Sequence, residues 1–274
     1  MEKTLRLDAN GVPVLSRIDL EEWAERFVSY FSPRAFKEPG PTPINEITQG
    51  LVRLGHIHFV INAELGSSPE GFKYRGRFHI PSRTIFMDRS LEPGGPRFNF
   101  TLAHELAHFV LHRDLASSAF KLSTGQIADT DQEVLNHLEG DSDRTWLEWQ
   151  ANAFASSMLL PRLTVGTAIR QKQWQMGITR NLGLIYNTKS NRADFNSVLT
   201  HLGDVYQVSR SAARLRLREL NLLIEEVEGR DDPLSVGEIM RSCVRNVKHG
   251  NSTLPPHSPP GVTRSLTPPS RKKS

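Results

Sequence analysis

The sequence predicts an α+β fold: a small sheet set against helices, followed by a helical lobe. Three observations predict it. Short alternating segments between His56 and Asp88 read as strands. Segments around Asp19–Phe31 and Phe100–His112 repeat their apolar residues at helical period. After Pro161 the remaining apolar pattern is helical throughout. The expected partition is an N-terminal helical segment (1–42), a core (43–161), a helix-turn-helix-like lobe (162–228) and a tail (229–274).

Asp19–Phe31 places Leu20, Trp23, Ala24, Phe27 and Phe31 on one side of a helix that Pro33 stops. A second helix is expected over Ile44–Leu54. His56–Ile61 alternates as a strand, with His56 and His58 on one face; a solvated face is the better account of these two than a metal site. Phe72–Ile80 and Thr84–Asp88 read as two more strands joined around Pro81-Ser82.

The next element carries chemistry. His104-Glu105-Leu106-Ala107-His108 reads H-E-x-x-H. On a helix, with His104 at 0°, His108 falls at about 40°, His112 at about 80° and Glu105 at about 100°. Phe109, Leu102, Leu106, Val110, Ala103 and Ala107 fill the arc from about 140° to about 300°. One face is chemical and the other apolar, as a helix needs if it is to hold ligands against a cleft. Two imidazoles four residues apart can grip one Zn²⁺, and Glu105 between them can serve as general base for water. His112 follows at a spacing of four with no intervening Gly, so it does not fit the extended three-histidine motif. It is kept as a marginal candidate, expected to end the helix or to hydrogen-bond near the site.

A catalytic zinc takes three protein ligands. The acidic candidates downstream are Asp114, Asp129, Asp131, Glu133, Glu139, Asp141, Asp143 and Glu148. Most lie in the polar stretch from Ser117 to Arg144, which positions a carboxylate poorly. Glu148 opens a helical run to Pro161, with Asn152 four residues on and the small Ala151 and Ala155 flanking that face. Leu147, Phe154 and Met158 supply its apolar side. Thr145-x-x-Glu148 also reads as a capping box. A cap leaves Asn152 and the small residues unexplained, whereas a ligand with an amide behind it accounts for them, so Glu148 ranks first and Asn152 is its expected supporting residue.

Beyond Pro161, helices are expected over Leu163–Met176, Ala193–Leu202 and Ser209–Leu220. The last two, joined through Gly203–Ser209, look like a helix-turn-helix, with Ser209 as N-cap and Arg210, Arg214, Arg216 and Arg218 making the second helix basic. A DNA-reading helix is one interpretation. A lobe that packs on the core or holds a substrate is the preferred one. A short helix over Ser235–Val247 and a disordered Pro/Ser/Thr-rich tail over Asn251–Ser274 complete the chain.

Composition sets outer bounds. At 274 residues and 38% hydrophobic content, the chain suits one large or two modest soluble domains. Its one cysteine, Cys243, excludes an intramolecular disulfide, which fits a reducing cytoplasm. No apolar run reaches membrane-spanning length and Met1–Asp8 has no apolar signal core, so neither a membrane partner nor secretion is expected. Arg264, Arg271, Lys272 and Lys273 account for the whole net charge of +4, leaving the body of the chain neutral.

Two blocks together, Phe100–His108 followed by Leu111-His112, and Glu148-x-x-Ala151-Asn152-x-Phe154-Ala155 followed by Leu159-Leu160-Pro161, resemble the ImmA/IrrE family of zinc metallopeptidases. So does Val208-Ser209-x-x-Ala212-x-x-x-Arg216-Leu217-x-x-Leu220. The resemblance implies a zincin-like domain with His104, His108 and Glu148 as ligands of Zn²⁺ (or Mn²⁺) and Glu105 as catalytic base. It implies that Thr84–Asp88 guides an extended substrate by strand addition. It also implies a substrate: a helix-turn-helix repressor, cleaved in a stress-response or mobile-element circuit. Tyr74, Tyr186, Tyr206 and His201 are candidates to stabilise an oxyanion. The alternative is a DNA-binding or partner-binding regulator with a structural or vestigial metal site. The intact Glu105 favours an enzyme, because a structural site needs no base.

Overall fold

A sheet covers one side of the central helix and two further helices cover the other. The computed structural model describes residues 12–68, 71–114, 126–130 and 143–225. The polar stretch 117–144 lies mostly outside these residues, as do Cys243, the helix expected over Ser235–Val247 and the tail from Asn251. The described elements are α1 (Arg17–Phe31), α2 (Ile44–Arg53), β1 (His58–Ala63), β2 (Tyr74–His79), β3 (Thr84–Asp88), α3 (Pro96–His112), β4 (Gln126–Thr130), α4 (Asp143–Leu159), α5 (Arg162–Gln175), β5 (Ile185–Asn187), α6 (Arg192–Tyr206), α7 (Arg210–Glu219) and β6 (Leu223–Glu225). The protein is α+β, as its sequence pattern predicts.

Local chemistry sets the ends of the first helices. Ser16 caps α1 in a full capping box: its hydroxyl accepts from the Asp19 backbone N–H at 3.2 Å, and the Asp19 carboxylate accepts from Ser16 N–H at 3.0 Å. Leu20, Ala24 and Val28 are buried on its inner face, with Trp23, Phe27 and Phe31 packed around them. Gly50 of α2 lets the Phe31 ring approach closely; a Cβ there would meet the ring at 3.1 Å. α3 starts at Pro96, whose fixed φ and missing N–H suit a first helical turn.

The sheet runs β1-β3-β2-β4. β1 is parallel to β3, and β2 is antiparallel to both β3 and β4. This order corrects one expectation. β3 pairs on both sides, so its backbone groups are already used and it cannot take a substrate by strand addition. The sheet edges are β1 and β4. A second expectation also fails: β1 begins at His58, so His56 lies outside the strand and the two exposed histidines share no strand face.

α3 lies across β2 and β3, where Phe78, Ile85 and Met87 are buried and Phe78 meets Phe109 edge-on at 6.1 Å. α4 packs on the opposite side of α3 and is itself backed by α1. The two-faced pattern read from the sequence is therefore buried on both faces, chemical as well as apolar. α4 begins at Asp143, so Thr145 lies inside the helix rather than at its N-cap, and the capping-box reading of Glu148 falls away.

In the lobe, α6 ends at Gln207 in a left-handed cap with φ of 53°, and Ser209 caps α7 by accepting from Ala212 N–H at 3.1 Å. Arg216 of α7 is 1% exposed. It donates from Nε to the Leu160 carbonyl at 2.9 Å and pairs with Glu21 at 3.0 Å and Glu219 at 3.3 Å. This one guanidinium ties α7 to α1 and to the end of α4. Arg216→Ala leaves the carboxylates of Glu21 and Glu219 without their shared cation. It is expected to cost about 3 kcal/mol of stability, read from the shift in urea midpoint.

Candidate metal centre

Three ligand atoms from two helices converge. His104 and His108 lie one turn apart on α3, and α4 brings Glu148 against them. The two Nε2 atoms are 2.9 Å apart. Glu148 Oε2 lies 3.1 Å from Nε2 of His104 and 3.5 Å from Nε2 of His108. All three residues are buried. Ala151 and Ala155 are buried too, and their small side chains allow α3 and α4 to approach closely. Burial raises the proton affinity of the Glu148 carboxyl, but the imidazoles of His108 and His104 beside it outweigh this and hold its pKa well below the usual carboxylate range. It is therefore an anion at neutral pH.

The outward-facing ring atoms settle which nitrogens carry hydrogen. Nδ1 of His104 is 2.9 Å from Asn152 Oδ1, and an amide oxygen only accepts, so His104 carries its proton there. Nδ1 of His108 is 2.9 Å from Nδ1 of His112. Nε2 of His112 is 3.0 Å from Gln150 Oε1. His112 thus does both things expected of it: it ends α3 and hydrogen-bonds beside the site. Burial pushes its pKa down to about 3, with the neighbouring His108 adding to the effect, so the ring is neutral.

This arrangement fits a metal ion. Two imidazole lone pairs and an ionised carboxylate oxygen face one another out of water, and such a group is stable only with a shared positive charge at its centre. Two nitrogens and one carboxylate oxygen are donors that one metal ion could share.

Glu105 is not among the three converging residues. Its carboxylate is buried beneath β2, at Gly76. A Cβ built on Gly76 would overlap Glu105 Oε1 and would lie 2.6 Å from Thr101 Cγ2. Glycine at this strand position is what leaves room for the carboxylate. Sequence reasoning missed Gly76 and Gln150, since both meet the site only through tertiary packing. The candidates for oxyanion stabilisation have surroundings of their own. Tyr206 is buried with its hydroxyl toward Thr164 of α5, its pKa pushed up to about 12 by that burial. His201 stands beside Lys172 and Asp204, and Tyr186 lies in β5. Arg77 covers the Tyr74 ring at 5.3 Å.

The sequence model of a peptidase family, described as the IrrE N-terminal-like domain, matches residues 66–218. The chain belongs to this family. Its matched region holds β2, all three converging residues and α7 as far as Arg218. No curated protein sequence matches the chain. Among solved structures, one described as a Mycobacterium tuberculosis transcriptional regulator is similar, with a TM-score of 0.43 and 19% identity, over 73% of this chain and 46% of that one. The chain thus spans less than half the length of that regulator.

A metal that binds the folded site stabilises the fold by mass action. At zinc concentrations about 100-fold above Kd the gain is about 2.7 kcal/mol. Calorimetry on the apo protein with added zinc is expected to show the corresponding rise in Tm. His104→Ala and Glu148→Ala are expected to show none, and a full rise in Glu148→Ala would remove that residue from the ligand set.

Proposed function

We propose that this protein is a zinc-dependent endopeptidase acting in the cytoplasm on a helix-turn-helix transcriptional repressor, within a stress-response or mobile-element regulatory circuit. One observation carries the peptidase reading. The two histidines and Glu148 converge on one point, while the carboxylate of Glu105, next to His104 on the same helix, is kept out of that cluster in a pocket built for it by Gly76. A site that only held metal for structure would have no use for that arrangement. Membership of a peptidase family supports the same reading.

His104, His108 and Glu148 would hold the ion, and Mn²⁺ is compatible with the same donors. When bound, the ion supplies Lewis acidity that polarises a carbonyl and acidifies water. The remaining steps belong to the chain's own groups. Glu105 takes a proton as the water oxygen bonds to the peptide carbonyl carbon. It then delivers that proton to the departing nitrogen as the C–N bond breaks, leaving a carboxylate and an amine. Asn152 holds His104 through its Nδ1–H, so the lone pair on Nε2 stays aimed at the ion.

The geometry of α7 bears on the partner. Arg214 and Arg218 both pair with Glu225, whose pKa burial alone would raise but these partners bring down to about 2. Arg210 donates to Asn196 Oδ1 and Thr200 Oγ1, and Arg216 is buried. The arginines that a DNA-reading helix would present each have a partner within the protein, which supports a protein substrate over direct DNA contact. No described helix is long and apolar enough to cross a membrane.

The test is to incubate the zinc-loaded protein with helix-turn-helix repressors of the same organism, in parallel with Glu105→Gln. Cleavage by the wild type is expected, slowed about 10²- to 10⁴-fold in Glu105→Gln with zinc content unchanged. Equal rates for the two proteins would remove the peptidase reading.

A further inference from the structure

Behind the metal centre runs a buried chain of hydrogen bonds that neither the ligand set nor the proposed reaction uses. It begins at Nδ1 of His108 and passes at 2.9 Å to Nδ1 of His112. From Nε2 of His112 it reaches Gln150 Oε1 at 3.0 Å. It ends where Gln150 Nε2 donates to the Pro13 carbonyl at 2.6 Å. His108, His112, Gln150 and Pro13 are all buried.

The polarity of this chain has one solution. The Pro13 carbonyl only accepts, so the Gln150 amide must present NH₂ to it and turn its oxygen toward His112. That oxygen only accepts, so His112 carries its hydrogen on Nε2. A second hydrogen on its Nδ1 would bury an imidazolium between an amide and another imidazole, away from water, so Nδ1 of His112 is left as the acceptor for His108. His108 therefore carries its hydrogen on Nδ1 and has its Nε2 lone pair directed at His104 and Glu148.

We propose that His112 and Gln150 are positioning residues of the metal centre, and that with the Pro13 carbonyl they lock His108 into its metal-binding tautomer. Pro13, just before α1, is thereby part of the metal site, although its carbonyl is not a ligand. The Pro13 carbonyl at one end of the relay sets the proton position on His108 at the other, three hydrogen bonds away. Asn152 performs the same service for His104 in a single step. The two histidines are thus held by different devices, and that of His108 reaches Pro13 in the segment before α1. The proposal rests on the metal-centre reading, but it does not depend on the reaction.

The experiment measures the zinc dissociation constant of the full chain by competition with a chromophoric chelator, for wild type, His112→Leu, His112→Gln and Gln150→Leu. His112→Leu and Gln150→Leu are expected to bind zinc about 10- to 100-fold more weakly. His112→Gln keeps an acceptor for His108 and a donor for Gln150, and is expected to restore most of the affinity. A purely space-filling role would predict the opposite order, with leucine tolerated at least as well as glutamine. Nitrogen-15 histidine spectra of the zinc-loaded wild type supply a second readout: His112 is expected as the neutral Nε2–H tautomer and His108 as Nδ1–H. Wild-type affinity in His112→Leu, or an Nδ1–H tautomer at His112, overturns the relay while leaving the metal centre intact. A wild-type protein that binds no zinc overturns both.

Discussion

Everything in this structure is arranged around an anion and two imidazoles that face one another out of water. Such a cluster is costly to bury, and it is tolerable only when each group is aimed and when positive charge sits at its centre. The packing of α4 on α3 does the aiming. Small residues at Ala151 and Ala155 let the helices approach, and Asn152 and His112 fix the rings from behind. The sheet closes the remaining side of α3, with Gly76 opening room for Glu105. The layers of sheet, α3, α4 and α1 are therefore the means by which a charged site is supported.

The parts of this arrangement that follow helical period were legible in the sequence. His104, Glu105 and His108 share an arc of one helix, and Glu148 and Asn152 share an arc of another, so periodicity alone groups them. β3 and the two-faced pattern of α3 were legible for the same reason. What periodicity does not encode is which element lies against which. Gln150 sits about 200° round the helix from Glu148 and would be assigned to a different face, yet it reaches His112 and Pro13. Gly76 has no side chain to signal anything; its importance lies in what a Cβ would strike. The sheet order was equally hidden. Three strands in sequence suggest a meander, but β3 lies between β1 and β2, and this removed the strand first expected to guide a substrate.

The helical lobe shows how the same residues support different readings until their partners are known. Four arginines on α7 look, in sequence, like a surface for phosphates. In the structure they are joined to Glu225, Asn196, Thr200, Glu21, Glu219 and the Leu160 carbonyl. Arg216 is the most consequential of these, because it binds the lobe to α1 and to the end of α4, the helix that carries Glu148 and Asn152. The lobe therefore stabilises the element on which the site is built, and each of these arginines already has a partner within the protein.

The central claim is that His104, His108 and Glu148 hold one metal ion together. Zinc-edge X-ray absorption on the stoichiometrically loaded protein tests it most directly. The account predicts two imidazole nitrogens among the ligands at about 2.0–2.1 Å, oxygen at similar distance and no sulfur. Loss of the imidazole signature in His104→Ala/His108→Ala should follow. A spectrum with sulfur ligation, or with no histidine signature in the wild type, would contradict it.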